Sequence, residues 1–190
     1  QEATLKKWLE ATDEGFLFSM QANRLITHSR KLRDVDGLLH AFLDRISTMG
    51  SQLAPTLFQL PHSMEKDTAL LRDFLALLPG DRESVMEFRH ASWFDDEVLM
   101  CLREHRVGYC IVSAPRLPVR IEVTAPFAYI RLHGKRRWFT DNYTDEDLEW
   151  WAREVRHILD QGTRVFAYFA NDEDAAAVFN AKKFEQLLSP

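Results

Sequence analysis

Residues 129–133 read Tyr129-Ile130-Arg131-Leu132-His133. Side chains alternate across a β-strand, so Ile130 and Leu132 share one face while Tyr129, Arg131 and His133 share the other. In Val85-Met86-Glu87-Phe88-Arg89 the same sorting sends Met86 and Phe88 one way, Glu87 and Arg89 the other. It sets Gln59 opposite Phe58 and Leu60, and Ser19 and Gln21 opposite Phe16, Phe18 and Met20. Apolar side chains on one face call for a covering layer of helices. Polar side chains gathered on the other face call for a shared interior.

Outward from these stretches, strand candidates recur at 16–21, 56–59, 84–88, 108–112, 128–132 and 164–169, each short and rich in aliphatic or aromatic residues. Between them run helical patterns. Leu38, Leu39, Phe42, Leu43 and Ile46 fall on one helical face, as do Leu70, Leu71, Phe74, Leu75 and Leu78. Val98, Leu99 and Leu102, then Leu148, Trp151, Val155 and Ile158, repeat the pattern. Ser92 and Thr144 are read as helix N-caps, each followed by acids in the first turn, with Gly80 and Gly162 as stop signals. Strict β-α alternation predicts a parallel α/β sheet with right-handed crossovers, either open and doubly wound or closed into a barrel. No GxGxxG or GxxxxGK[ST] follows any strand, which removes the main support for a nucleotide-binding open sheet. The cofactor is therefore left open.

The chain has 190 residues, 46% hydrophobic and 28% charged, which suits one globular domain over 1–190 with a single core. Its formal net charge of −5 disfavours a general affinity for nucleic acid or acidic membranes. No apolar run approaches the roughly 18–20 residues of a membrane span, and no secretory signal is legible, so a cytoplasmic protein is expected. Cys101 and Cys110 lack paired spacing and are read as buried thiols without a disulfide.

The polar residues of the inner face sit at the C-terminal ends of their strands, where parallel barrels hold their active sites. Charged groups are seldom buried without a partner, so Glu87, Arg89 and Arg131 need an explanation. Two readings stay open: an ion-pair network that fills the interior, or a ligand pocket. His28, His90, Trp93, Asn171 and Asp172 follow strand ends and are further candidates, although Asp172 could simply cap the next helix. Gly134-Lys135-Arg136-Arg137 follows the penultimate strand, where barrels often bind phosphate.

Several of these residues recur as ordered motifs. They are Asn23-Arg24-Leu25-Ile26-Thr27-His28, Leu57-Phe58-Gln59-Leu60-Pro61, Glu87-Phe88-Arg89-His90 with Ser92-Trp93, Tyr129-Ile130-Arg131-Leu132-His133-Gly134, and Asn171-Asp172 with Asn180-Ala181. In this order they resemble the DUF72 (YecE-like) family along nearly the whole chain. The resemblance implies a TIM-type (β/α)8 barrel and implies no particular activity. It also implies Lys where this chain has Gln21 and Asn where it has Ala170. The family's first two strands, with a Gly-Trp and an Asn-Ser-Thr-Phe-Tyr type motif, have no counterpart before Phe16, and residues 4–11 resemble the helix after the second strand. The expectation is therefore six parallel strand–helix units of the barrel, with exposed edges open to self-association.

For function, one reading is an enzyme acting on a small anionic or phosphorylated substrate. Arg89, Arg131 and the basic loop would hold the anion, with Gln59, His28, Trp93, Asn171 and Asp172 completing the site. Glu87 would be the acid–base, its pKa raised by burial, and His133 its partner. A metal variant would use His28, Glu87, His133 and Asp172, but no HxH or HExxH spacing supports it. The alternatives are a non-catalytic barrel that binds a metabolite, RNA or protein, with Trp93 and Trp138 stacking on bases, and a structural barrel whose polar interior satisfies itself.

Overall fold

The computed structural model describes residues 2–189. Five strands form one parallel sheet: β1 (Thr56–Gln59), β2 (Ser84–Glu87), β3 (Gly108–Ser113), β4 (Phe127–Leu132) and β5 (Arg164–Phe169), each hydrogen-bonded to the next in chain order. Six helices accompany them: α1 (Glu2–Glu10), α2 (Asp36–Ser47), α3 (Thr68–Ala76), α4 (Asp96–Glu104), α5 (Asp145–Asp160) and α6 (Ala176–Leu188). Among the described residues no helix is long and apolar enough to cross a membrane.

The alternation legible in the strands is the alternation of the sheet. Phe58, Leu60, Met86, Phe88, Ile130 and Leu132 belong to the main core with the helices. Leu57, Val85, Cys110, Val112 and Tyr129 form a second cluster on the opposite face, joined there by Phe166 and Tyr168. Cys110 is thus a buried thiol of the inner face and Cys101 a buried thiol of α4. Gly108 opens β3 where a Cβ would stand 2.9 Å from the Phe127 ring and 3.4 Å from Val85 Cβ. Gly108→Ala is expected to cost about 1–3 kcal/mol by overpacking, read as a lower urea midpoint with an unchanged slope.

Three expectations are corrected. The segment 16–21 is not a full strand. It touches its neighbour through two parallel bridges, Phe18 to Leu53 and Gln21 to Leu57. Two residues separate the first pair of ends and three the second, so the neighbour bulges, and the bulge contains Pro55, which has no N–H to give. Alternation is also not strict: residues 114–126 link β3 to β4 without a helix. Pro115, Pro118 and Pro126 punctuate that connection, and each removes a helical donor. Finally, α4 starts at the Asp95 cap, whose carboxylate accepts from the Glu97 N–H, and Ser92 lies in the short turn before it. Thr144 does cap α5, through a reciprocal capping box with Asp147. Gly162 follows α5 in the left-handed region, φ 76°.

Candidate functional site

Glu87 ends β2 on the inner face, and its carboxylate is wholly buried. It is held from three sides. Arg89, two residues on and therefore on the same face, donates Nε–H to Oε1. Arg131 of β4 donates Nη1–H to Oε2 at 2.7 Å. His133, one period beyond Arg131, places Nε2 3.1 Å from Oε1. With a carboxylate as its acceptor, that nitrogen carries the proton. Its Nδ1 is then a buried acceptor without a partner among the described residues. The Arg89 Nη2 lies 3.1 Å from the same His133 Nε2, a crowded contact between two donors.

Electrostatics follow from this packing. Burial pushes the Glu87 pKa up, but the His133 hydrogen bond and the charges of Arg89 and Arg131 outweigh it and hold the carboxyl at about 2. Burial pushes His133 below its ordinary value despite the Glu87 bond, so the ring is neutral at physiological pH. The Cys110 thiol beneath the cluster is raised well above its usual range by burial. Arg131 gains more from Glu87 than it loses by burial, whereas Arg89 loses more than it gains. The interior therefore carries two guanidiniums, one carboxylate and two neutral groups. One positive charge is left over, and Arg89 is the residue less well compensated.

The expectation of a raised Glu87 pKa and an acid–base role is corrected by this arrangement. A carboxylate saturated by three donors and held at about 2 is too weak a base for proton transfer near neutrality. The structure does bring Glu87 and His133 together, in the role of a charge hub. Its arginines alone reach solvent, with side chains 9% exposed for Arg89 and 17% for Arg131. The Arg89 guanidinium lies 4.3 Å from the centroid of the Trp138 ring, and Trp138 and Phe139 both flank the His133 ring. From sequence Trp138 stood out only as a base-stacking residue. Its place over Arg89 had one signal, an aromatic pair directly after three cations.

The other candidates divide. His28 lies near Arg89 and His62, whose charges add to burial in lowering its pKa. Its Nδ1 is bonded to Thr27 Oγ1 at 2.9 Å. Gln59 ends β1 and accepts from Gln21 at 3.3 Å, so both amides stand at the strand ends. Trp93 is not at the site. It is fully buried in the helix-side core, stacked on Phe88 at 4.8 Å with Nε1–H donating to the Met64 carbonyl at 2.7 Å. His90 caps the turn that carries it, accepting from the Ser92 N–H. Asn171 is a buried brace, donating to the Asp141 carbonyl and to Asn180 Oδ1, both at 2.8 Å. Asp172 is exposed and makes no side-chain cap bond. The four residues of the metal variant are not gathered: no cluster of three or more His, Cys, Asp or Glu suited to an ion occurs among the described residues. The Glu87 oxygens already face cations.

The basic loop fills its own anion site. Gly134, at φ 105°, starts it where a Cβ would stand 2.5 Å from the Arg137 carbonyl, so only glycine fits. The Asp141 carboxylate then accepts from the Arg136 and Arg137 backbone N–H groups. Lys135 pairs with Asp147, and Arg137 lies 3.8 Å from Glu173.

Fold and site together define a parallel α/β protein with a buried Glu–Arg–Arg–His hub at the C-terminal ends of its strands. The chain belongs to the DUF72 family, described as "Protein of unknown function DUF72", whose model matches residues 1–190. The UPF0759 protein YunF of Bacillus subtilis (strain 168) is 23% identical over 216 residues, spanning 96% of this chain and 77% of YunF. The UPF0759 protein YecE of Escherichia coli (strain K12) is 32% identical over 89 residues, which are 46% of this chain and 33% of YecE. The crystal structure of a DUF72 family protein from Thermotoga maritima MSB8 shares the fold with a TM-score of 0.91 at 24% identity, covering 99% of this chain and 79% of that one. A DUF72 family structure from Enterococcus faecalis V583 has a TM-score of 0.88 at 19% identity, covering 98% and 79%.

Proposed function

We propose that the strands are an arc of a TIM-type (β/α)8 barrel and that its mouth binds a small anion, a phosphorylated or carboxylated metabolite. The observation that carries this reading is the unbalanced charge of the hub. Two desolvated guanidiniums face one carboxylate, the deficit falls on Arg89, and only the arginines open to solvent. A bound anion would supply the missing charge through charge-assisted hydrogen bonds. Glu87 positions the guanidiniums, Trp138 fixes the plane of Arg89, and Gln59 and His28 stand at the rim. Binding is better supported than catalysis, because the one buried carboxylate is already committed as a counter-charge. If the site is catalytic, the proton carrier is His28, which is held neutral at physiological pH.

The test is a thermal-shift panel of inorganic phosphate, sugar phosphates and dicarboxylates at pH 7. A ligand at about 100 times its dissociation constant adds roughly 2.7 kcal/mol. A specific stabilisation that disappears in Arg89→Ala and weakens in Arg131→Ala is the expected outcome. A flat response across the panel would leave the hub as an internal ion-pair network.

A further inference from the structure

We infer that the edge of the sheet at β5 is a docking slot for one strand followed by one amphipathic helix, entering between β5 and the segment 16–21. The slot is separate from the anion site and does not depend on it.

The backbone of β5 is half used. Ala170 N–H donates to the Leu132 carbonyl, and directions alternate along a parallel ladder. The N–H and C=O groups of Val165, Ala167 and Phe169 therefore turn to the open edge. The side chains there are not those of an edge built to face water. Val165 and Phe169 pack toward the helices and Phe166 and Tyr168 toward the inner cluster, yet all four are only partly covered. Strands β2, β3 and β4, by contrast, are buried on both faces almost throughout. Arg164, the one charged residue of β5, is paired with Glu83. Edge strands left to solvent normally carry charges, prolines or bulges, and β5 has no other such guard.

Beside this edge lies an apolar groove of about 1070 Å³ lined by β5, Leu159 of α5 and Val178 and Phe184 of α6. Val178 is 55% exposed and the neighbouring Phe179 68%. The far wall is Phe16, at the start of the segment 16–21. The two sheet edges thus face each other across the groove, tied at one point where the Ser19 hydroxyl meets Tyr129 Oη at 2.7 Å. An occupant must enter between two walls. An extended segment and a helix fit that shape, whereas a folded second copy presents a face. The size agrees: the solved relatives carry about a fifth of their chain beyond the match, enough for a strand–helix unit.

The probe is the portion of the YunF polypeptide that lies outside its match to this chain, co-expressed with the 190-residue chain. Co-purification at one to one is expected, with amide exchange at Val165 and Ala167 slowed roughly a hundredfold on moving from an open edge into a ladder. Ala167→Pro should keep the fold, because that N–H has no partner within the chain, and should abolish both effects. If the chain instead protects the same amides by dimerising as its concentration rises, the occupant is a second copy and the inference fails. Failure to bind, or binding that leaves these amides exchanging freely, overturns it as well.

Discussion

Replacing Glu87 by Gln should destabilise the protein by about 3–5 kcal/mol, the cost of leaving buried charges without their counter-charge. In a chain of this size that is a fall in Tm of roughly 6–20 °C. The substitution keeps the shape of the side chain, so packing is not the cause. What is lost is the one negative charge between Arg89 and Arg131. Phosphate or sulfate should restore more stability to Glu87→Gln than to the parent, because an anion in the mouth can replace part of that charge. The pH dependence has the matching sign. The folded carboxyl is depressed from 4.5 to about 2, so as pH falls the unfolded state takes up the proton first. The contribution of Glu87 is fully present above pH 4.5, declines through the window down to about 2, and is gone below it. Each tenfold difference in proton affinity between the folded and unfolded states is worth about 1.4 kcal/mol, so the whole contribution is roughly 3 kcal/mol. Urea titrations of the two proteins across that window should converge at the acid end. A parallel pair of curves would mean that the carboxylate is not the hub of the cluster.

Trp93→Ala should cost a comparable 3–5 kcal/mol or so, by a different route. Trp93 is wholly enclosed, stacks on Phe88 and gives its only N–H to the Met64 carbonyl. Truncation leaves a cavity and strands a buried acceptor. Where enough folded protein remains, binding of any anion found by the panel should be unchanged, since Trp93 lies on the helix side of the sheet and the hub on the other. Trp138→Ala is the contrast: a small change in stability and a clear loss of affinity, as Arg89 is freed from its ring. Loss of affinity in Trp93→Ala at temperatures where it is fully folded would return Trp93 to the site.

Much of the sheet was legible because it rests on local rules. Period-two alternation sorted Glu87, Arg89, Arg131 and His133 from Met86, Phe88, Ile130 and Leu132, and the two faces of the folded sheet hold these two sets. The capping box at Thr144 and the stop at Gly162 are also local, since they depend on residues within one turn. The weaker elements failed where a neighbour decides. Residues 16–21 have the composition of a strand, but their ladder is broken by a proline in another segment. Residues 114–126 lost their helix to three prolines that the regular alternation led one to overlook.

What the sequence by itself determined is the fold class, the strand faces and the ionisable set that converges at the strand ends, because hydrophobic period and backbone stereochemistry act over a few residues. What only the tertiary structure decided is the state of that set. Whether Glu87 is a raised acid or a depressed counter-charge depends on Arg131, 44 residues away. The basic loop could have held a ligand, but it closes on Asp141, and Trp93 turns into the core while Trp138 covers Arg89. Coulomb energies vary with distance and burial, and neither quantity exists until distant segments are packed together.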